Sequence, residues 1–321
     1  MTRSRPCAAA VLLALGACVT VSVTPPELEA QARAATEREE WVAAGDLWHR
    51  LYRGSSEAAY ARELARALFH QGDVAGALRV LASGVAAHPE DPTLLALQGE
   101  VLVAAGQPVL AVHSYEELLA LAPEDLAARR ELARLQLEAG RAQDAVATLR
   151  GAAPGSDAAL DLARALDLAG EQHESLEEYS RALPGHGGDP EQLLRAAELA
   201  VALSEPGSPR WLDARGWLQR VCAEDPQHLE AHRLLARVHQ GLGDPDAALR
   251  ELTRAAELDP TRADVLADLA ELLAAAGAGE RAREVALRAL ELDRDGELAQ
   301  RLGALVEDPA QVPEEPAPQD G

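Results

Sequence analysis

The stretch Leu229 to Arg262, LEAHRLLARVHQGLGDPDAALRELTRAAELDPTR, is a complete two-helix unit, and its grammar returns along the chain at intervals near 34 residues. Apolar residues at helical spacing form one stripe through Leu235, Ala236 and Val238. A second runs through Ala248, Leu249, Leu252, Ala255 and Ala256. Gly243 predicts the end of the first helix, because a left-handed C-terminal residue is least strained as glycine. Asp244 then caps the second helix, and Pro245 takes its first position, where a missing amide hydrogen costs nothing. Pro260 stops that helix, since its ring and absent N–H cannot extend the ladder.

The same signals, taken in order, divide the chain into units at about 25–57, 58–91, 92–125, 126–155, 156–188, 189–228, 229–262 and 263–296. The first is degenerate but keeps Ala44 and Trp48. The second shows Leu64, Ala65, Gly72, Ala77, Leu81 and Pro89 in step, and the third Gly99, Gly106, Ala111, Tyr115 and Pro123. The fourth has Ala133, Gly140, Ala145 and Leu149, with Pro154 cutting its second helix short. In the fifth, Ala163, Gly170 and Tyr179 are in place, Ser175 stands for the usual Ala, and Pro184 is expected to end the helix early. Gly185-His186-Gly187-Gly188 then reads as a flexible joint. The sixth carries an insertion, SEPGSPR from Ser204, before Ala214, Leu218 and Pro226. The eighth has Ala270, Gly277 and Ala282, with Arg294 where a proline would stand. Residues 297–307 read as one capping helix, needed because the last repeat has no neighbour to cover it. Residues 308–321, rich in Pro and acid, are expected to be disordered.

Small residues mid-helix, an aromatic or large apolar residue four after the second of them, and a closing proline make this pattern resemble the tetratricopeptide repeat family. The resemblance implies an all-α fold, a right-handed α-solenoid of about eight helix–turn–helix repeats over residues 25–307 with a C-terminal cap. Composition agrees, with 3% aromatic residues and no β-branched segment of period two. Positions such as Gly99 and Ala111 are small so that paired helices can approach closely.

Residues 1–23 differ from the rest. Arg3 and Arg5 precede the apolar run CAAAVLLALGACVTVSV, which is short for a spanning helix and has the layout of a secretory signal. Leu15-Gly16-Ala17-Cys18 resembles the lipobox of bacterial lipoproteins. That resemblance implies a signal peptide over 1–17, lipidation at Cys18 and a tether over 18–24. It also implies export and anchoring in the bacterial envelope. Val19, with no Asp there, points to the outer membrane facing the periplasm. Several acyl chains would make that anchor durable.

Net charge narrows the partners. At −23, with no lysine and every basic residue an arginine, the chain disfavours nucleic acid, and membrane contact is expected through the lipid anchor only. Cys7, Cys18 and Cys222 give no disulfide framework, and Cys222 reads as an inert packing residue. No P-loop, GxSxG, HExxH or paired CxxC occurs, so no catalytic residue, metal or cofactor is assigned. His228 and His232, with Cys222 upstream, superficially suggest a metal, but a turn and a packing position account for them better. Trp41, Trp48, Tyr52, Tyr115 and Tyr179 fall at core spacing.

In the family that the repeats resemble, fixed positions of the first helix line the concave face. The resemblance puts Arg62, Arg66, Arg130, Arg134, Arg164, Arg233 and Arg237 there. Pairs four apart stand one turn above each other. Two readings are open: a basic lane for a partner, or a solvated face neutralised by neighbours such as Glu100, Glu138, Asp167, Glu230 and Glu271. The function expected is a non-catalytic protein–protein interaction scaffold of the envelope, holding a peptide or protein in its groove and assisting assembly of an outer-membrane machine. An acidic-glycan module and a self-associating spacer are the alternatives, and eight repeats with a soluble cap do not demand oligomerisation.

Overall fold

The computed structural model describes residues 24–150, 158–293 and 296–306. The expected signal peptide, Cys18, most of the tether, Pro154, Arg294 and the tail from residue 307 lie outside the described residues, as do the side chains of Gly185 and His186. Among the described residues there are seventeen helices and no strand. They form antiparallel pairs: α1 (Pro25–Glu37) with α2 (Trp41–Gly54), α3 (Ala58–His70) with α4 (Val74–Ala87), and α5 (Pro92–Ala104) with α6 (Pro108–Leu121). Next come α7 (Leu126–Glu138) with α8 (Ala142–Arg150), and α9 (Ala158–Leu168) with α10 (Gln172–His186). Then follow α11 (Pro190–Leu203) with α12 (Pro209–Glu224), α13 (Leu229–Gly241) with α14 (Pro245–Leu258), and α15 (Ala263–Ala275) with α16 (Gly279–Leu292). A last helix, α17 (Ala299–Val306), closes the series. The fold is an all-α solenoid. Its chain divides into two compact units, Met1–Pro123 and Glu124–Gly321, the break falling where the third repeat gives way to the fourth.

The local chemistry follows the repeat grammar. Gly243 takes φ +79°, a conformation open to glycine at little cost, and ends the turn after α13. The Asp244 carboxylate then accepts from the Ala247 N–H at 3.0 Å and caps α14. His228 caps α13 in the same way, its Nδ1 accepting from the Ala231 N–H at 3.2 Å. The small positions are closed: Ala77, Ala111, Ala145, Ala214 and Ala248 are fully buried. Ser175, in the slot of an Ala, is buried too, and its hydroxyl is satisfied by donating to the Ala163 carbonyl at 2.8 Å. Helix α17 lays Leu302 on Leu266, Ala270, Ala286 and Ala289, which covers the end of the last pair.

The fifth repeat corrects an expectation. Pro184 does not end α10, which continues to His186. Its ring removes one hydrogen bond near the helix end, while the neighbouring Ala182 and Leu183 are buried in the same core cluster as Tyr179 and Leu193. That burial outweighs one missing bond. Gly185 and His186 therefore belong to the helix, and only Gly187 and Gly188, at φ +82° and +67°, make the turn. The joint is also tied, since the Arg220 guanidinium donates to the Gly187 carbonyl. The aromatic residues split likewise. Trp48, Tyr115 and Tyr179 are core, whereas Trp41 is half-buried and stacks on His70 with ring centroids 4.0 Å apart.

Candidate functional site

In the second unit α11, α13 and α15 stand side by side and leave a groove of about 460 Å³. Spacings of three and four on α13 put Glu230, Arg233, Leu234, Arg237 and Gln240 on the face toward it, while Leu235 and Val238 turn into the core. Leu194 of α11, Leu252 of α14 and Leu272 of α15 complete an apolar lining with Leu234. These leucines were not foreseen as site residues. Each reads in the sequence as one more member of a core stripe.

Charges around the groove are matched across helices. Arg233 reaches Asp264 at 2.6 Å and Asp268 at 2.9 Å, both on α15. Arg262 holds Asp264 through two bonds, at 2.8 and 2.7 Å, and reaches Glu230 at 2.9 Å. From α17, Arg301 grips Asp268 at 2.9 Å and Glu271 at 3.0 and 2.9 Å. Arg195 binds Asp167 on α9 at 2.7 and 2.9 Å and Glu198 at 2.8 Å. The electrostatics record these ties. Arg262's hydrogen bonds, then the charges of Arg233 and Arg262, outweigh partial burial and hold the Asp264 carboxyl down to about 2. Arg195, Arg262 and Arg301 are pushed above the ordinary guanidinium value by their carboxylate hydrogen bonds. Arg237 differs: it is exposed, lines the groove, and makes no ion pair among the described residues.

The other expected arginines lie elsewhere. In the first unit Arg62 donates to Thr93 of α5 at 3.1 Å and to Glu63 at 3.2 Å, and Arg66 meets Glu63 at 3.3 Å. In the second, Arg130 binds Asp161 of α9 at 2.5 Å, and Arg134 sits between Glu131 at 2.8 Å and Glu138 at 2.5 Å. Arg164 is exposed without an ion pair among the described residues, and does not line the groove. Of the seven, the structure brings Arg233 and Arg237 into one site. A rule missed in the sequence links several of them. Arg62 to Thr93, Arg130 to Asp161 and Arg233 to Asp264 each span 31 residues, from one first helix to the next. Polar partners recurring near that separation were the available signal for the interhelix ties; Arg195 to Asp167 spans 28 residues, and Arg301 to Glu271 and Asp268 spans 30 and 33.

Cys222 and His232 do meet, with Sγ 3.8 Å from Nδ1, and Glu251 lies 2.7 Å from the same nitrogen. His228 is not with them, being occupied as the cap of α13. Burial, then the charges of Glu251 and Asp225, push the Cys222 thiol up to about 11, so it stays a protonated packing group.

A tetratricopeptide repeat profile matches residues 102–156 and 240–306, and a second profile of that family matches 57–101. No curated protein matches the sequence. Among solved structures, the C-terminal part of a TPR repeat-containing protein from Cytophaga hutchinsonii aligns over 74% of this chain and 98% of its own, at 15% identity and a TM-score of 0.57. A tetratricopeptide repeat protein from Parabacteroides merdae covers 88% of this chain and 98% of its own at 15% identity, with a TM-score of 0.38. YrrB, described as a TPR protein with an unusual peptide-binding site, covers 70% of this chain and 97% of its own at 16% identity, with a TM-score of 0.42. With its helix pairs recurring at the period of those profiles and matched by them in both compact units, the chain belongs to the tetratricopeptide repeat family.

Proposed function

We propose that this chain is a non-catalytic scaffold that holds an extended segment of a partner protein in the groove of α11, α13 and α15. Interaction with proteins is the general role of the family. The observation that carries the site is the contrast inside the groove. Its acids Glu198, Glu230, Asp268 and Glu271 are ion-paired to Arg195, Arg262, Arg233 and Arg301, its floor is leucine, and Arg237 makes no ion pair among the described residues. Leucine supplies apolar area, which is where most binding energy arises. The interhelix ion pairs hold the walls in place before a partner arrives, which lowers the ordering cost. Arg237 adds direction, because a guanidinium receives a carboxylate through two parallel hydrogen bonds. A segment with apolar side chains and one carboxylate fits these groups.

Arg237 also supplies the test. Reversing Arg130 and Arg134 would break ties between and within helices, whereas Arg237→Glu disturbs no ion pair among the described residues. In-cell crosslinking of wild type and of Leu234→Arg with Arg237→Glu should show the main crosslinked protein reduced at least tenfold, with the helical melt retained. An unchanged crosslinking pattern would remove the groove from the reading.

The reading extends to location. Arg3, Arg5, the apolar run and the Leu15-Gly16-Ala17-Cys18 sequence support export and a lipid anchor at Cys18, with the solenoid tethered to the outer membrane and the partner part of an assembly there. Among the described residues, no helix is long and apolar enough to cross a membrane. Cys18→Ser should move the protein from the membrane to the soluble fraction; continued sedimentation with membranes would exclude the anchor.

A further inference from the structure

The first unit has a cleft of its own. Helices α1, α2 and α3 enclose about 280 Å³, bounded by Glu29, Arg33, Glu37, Trp48, Tyr60, Arg62 and Glu63. Trp48 is its floor, 2% exposed, and the indole N–H is used internally, donating to Thr36 Oγ1 at 2.9 Å. Tyr60 lies half-buried as one wall, its ring centroid 6.0 Å from that of Trp48. Its hydroxyl donates to Glu29 at 3.2 Å.

The acids on the rim are not equivalent. Glu63 is held by Arg62 and Arg66. Glu29 shares its charge between Tyr60 and Arg33, and Arg33 is 68% exposed, so that pair contributes little and opens readily. Glu37 is exposed and makes no ion pair among the described residues. The Tyr60 phenol records the resulting field: burial first, then the charges of Glu29 and Glu57, raise it above its ordinary value.

We propose that this cleft is a binding site for a cationic side chain, an arginine or lysine of a partner protein, with its methylene stem on Tyr60 and its charged head at Glu37. Long basic side chains bury their stems on apolar surface and keep the head at a polar edge, which is the division of chemistry the cleft presents. An aromatic wall attracts a cation further through its ring quadrupole. An aliphatic occupant would cover an unpaired carboxylate without replacing its water, and an anionic one would be repelled. The surrounding charge steers the same way, since the whole chain carries −23.

The test uses the full chain and two peptides, acetyl-Leu-Arg-Leu-amide and its citrulline analogue, which is nearly isosteric but neutral. Calorimetric titration should show the arginine peptide binding at least fivefold tighter, with the preference growing as salt is lowered. Glu37→Gln should abolish the preference while leaving the thermal melt unchanged, as Glu37 is exposed. Arg237→Glu should leave the preference intact, which separates this site from the groove of the second unit. Equal affinity for the two peptides overturns the proposal, as does a preference that survives Glu37→Gln or disappears with Arg237→Glu.

Discussion

Gly216 and Gly241 sit in consecutive helices and face opposite surroundings. A Cβ at Gly241 would lie 2.0 Å from Trp211 Cζ3, because the indole, placed by the Ser204 insertion, rests on the end of α13. At Gly216 a Cβ would meet nothing within 4 Å. Overpacking costs about 1–3 kcal/mol, and removing a helical glycine regains roughly 0.5–1 kcal/mol. Denaturant melts should therefore show Gly241→Ala less stable than wild type and Gly216→Ala slightly more stable. The same sign for both would contradict the Trp211 contact. Cys222 makes a second residue-level test. With its thiol pushed up to about 11, its thiolate fraction at pH 8 is on the order of a hundredfold below that of a free cysteine. Peptide-mapped alkylation should find it slow in the folded chain and fast in denaturant; rapid labelling of folded protein would contradict the raised thiol.

Among elements, the arginine stripe is the instructive case. Helical spacing shows which face of α7 or α13 carries Arg130 or Arg233, and that much was legible. It does not show what stands opposite. The packed helices place Asp161 and Asp264 there, so Arg130 and Arg233, with Arg62 on Thr93, join one repeat to the next, three of the seven in all. Asp264 lets this be measured. Its carboxyl is lower in the folded chain, at about 2, than its ordinary 3.8, so the unfolded chain takes up the proton first. The stability from its pairing is fully present above about pH 4 and is lost as pH falls toward 2. Urea midpoints should fall more steeply over that window for wild type than for Asp264→Asn; parallel slopes would mean that the pairs Asp264 makes with Arg262 and Arg233 add nothing. Pro184 teaches the same lesson about local rules. A proline penalty near a helix end is small beside the burial of Leu183, and burial is not visible in the dipeptide.

At the scale of the molecule, the repeats within each unit pack on one another, and the core residues cluster separately along the chain. Two compact units result, three helix pairs in the first and five pairs with α17 in the second. Fragments 24–123 and 124–306, expressed alone, should each keep helical circular dichroism and melt cooperatively. A fragment that stays unfolded would show that its unit depends on the other. The overall acidity sets which partners approach, and the two candidate sites then differ in what they offer: a free guanidinium over leucine in one, a free carboxylate beside Tyr60 in the other.

Local chemistry accounts for what could be read without coordinates. Helix ends at Gly243 and Asp244, the small positions at Ala77 and Ala111, and the 34-residue period all rest on interactions within a few turns of chain. The candidate site does not. Whether Arg130, Arg233 or Arg301 is neutralised depends on side chains about thirty residues away, brought within 3 Å by packing. Arg233 and Arg237 look alike as sequence, one turn apart on one face. Only the approach of α15 makes the first a tie between repeats and leaves the second open to a partner.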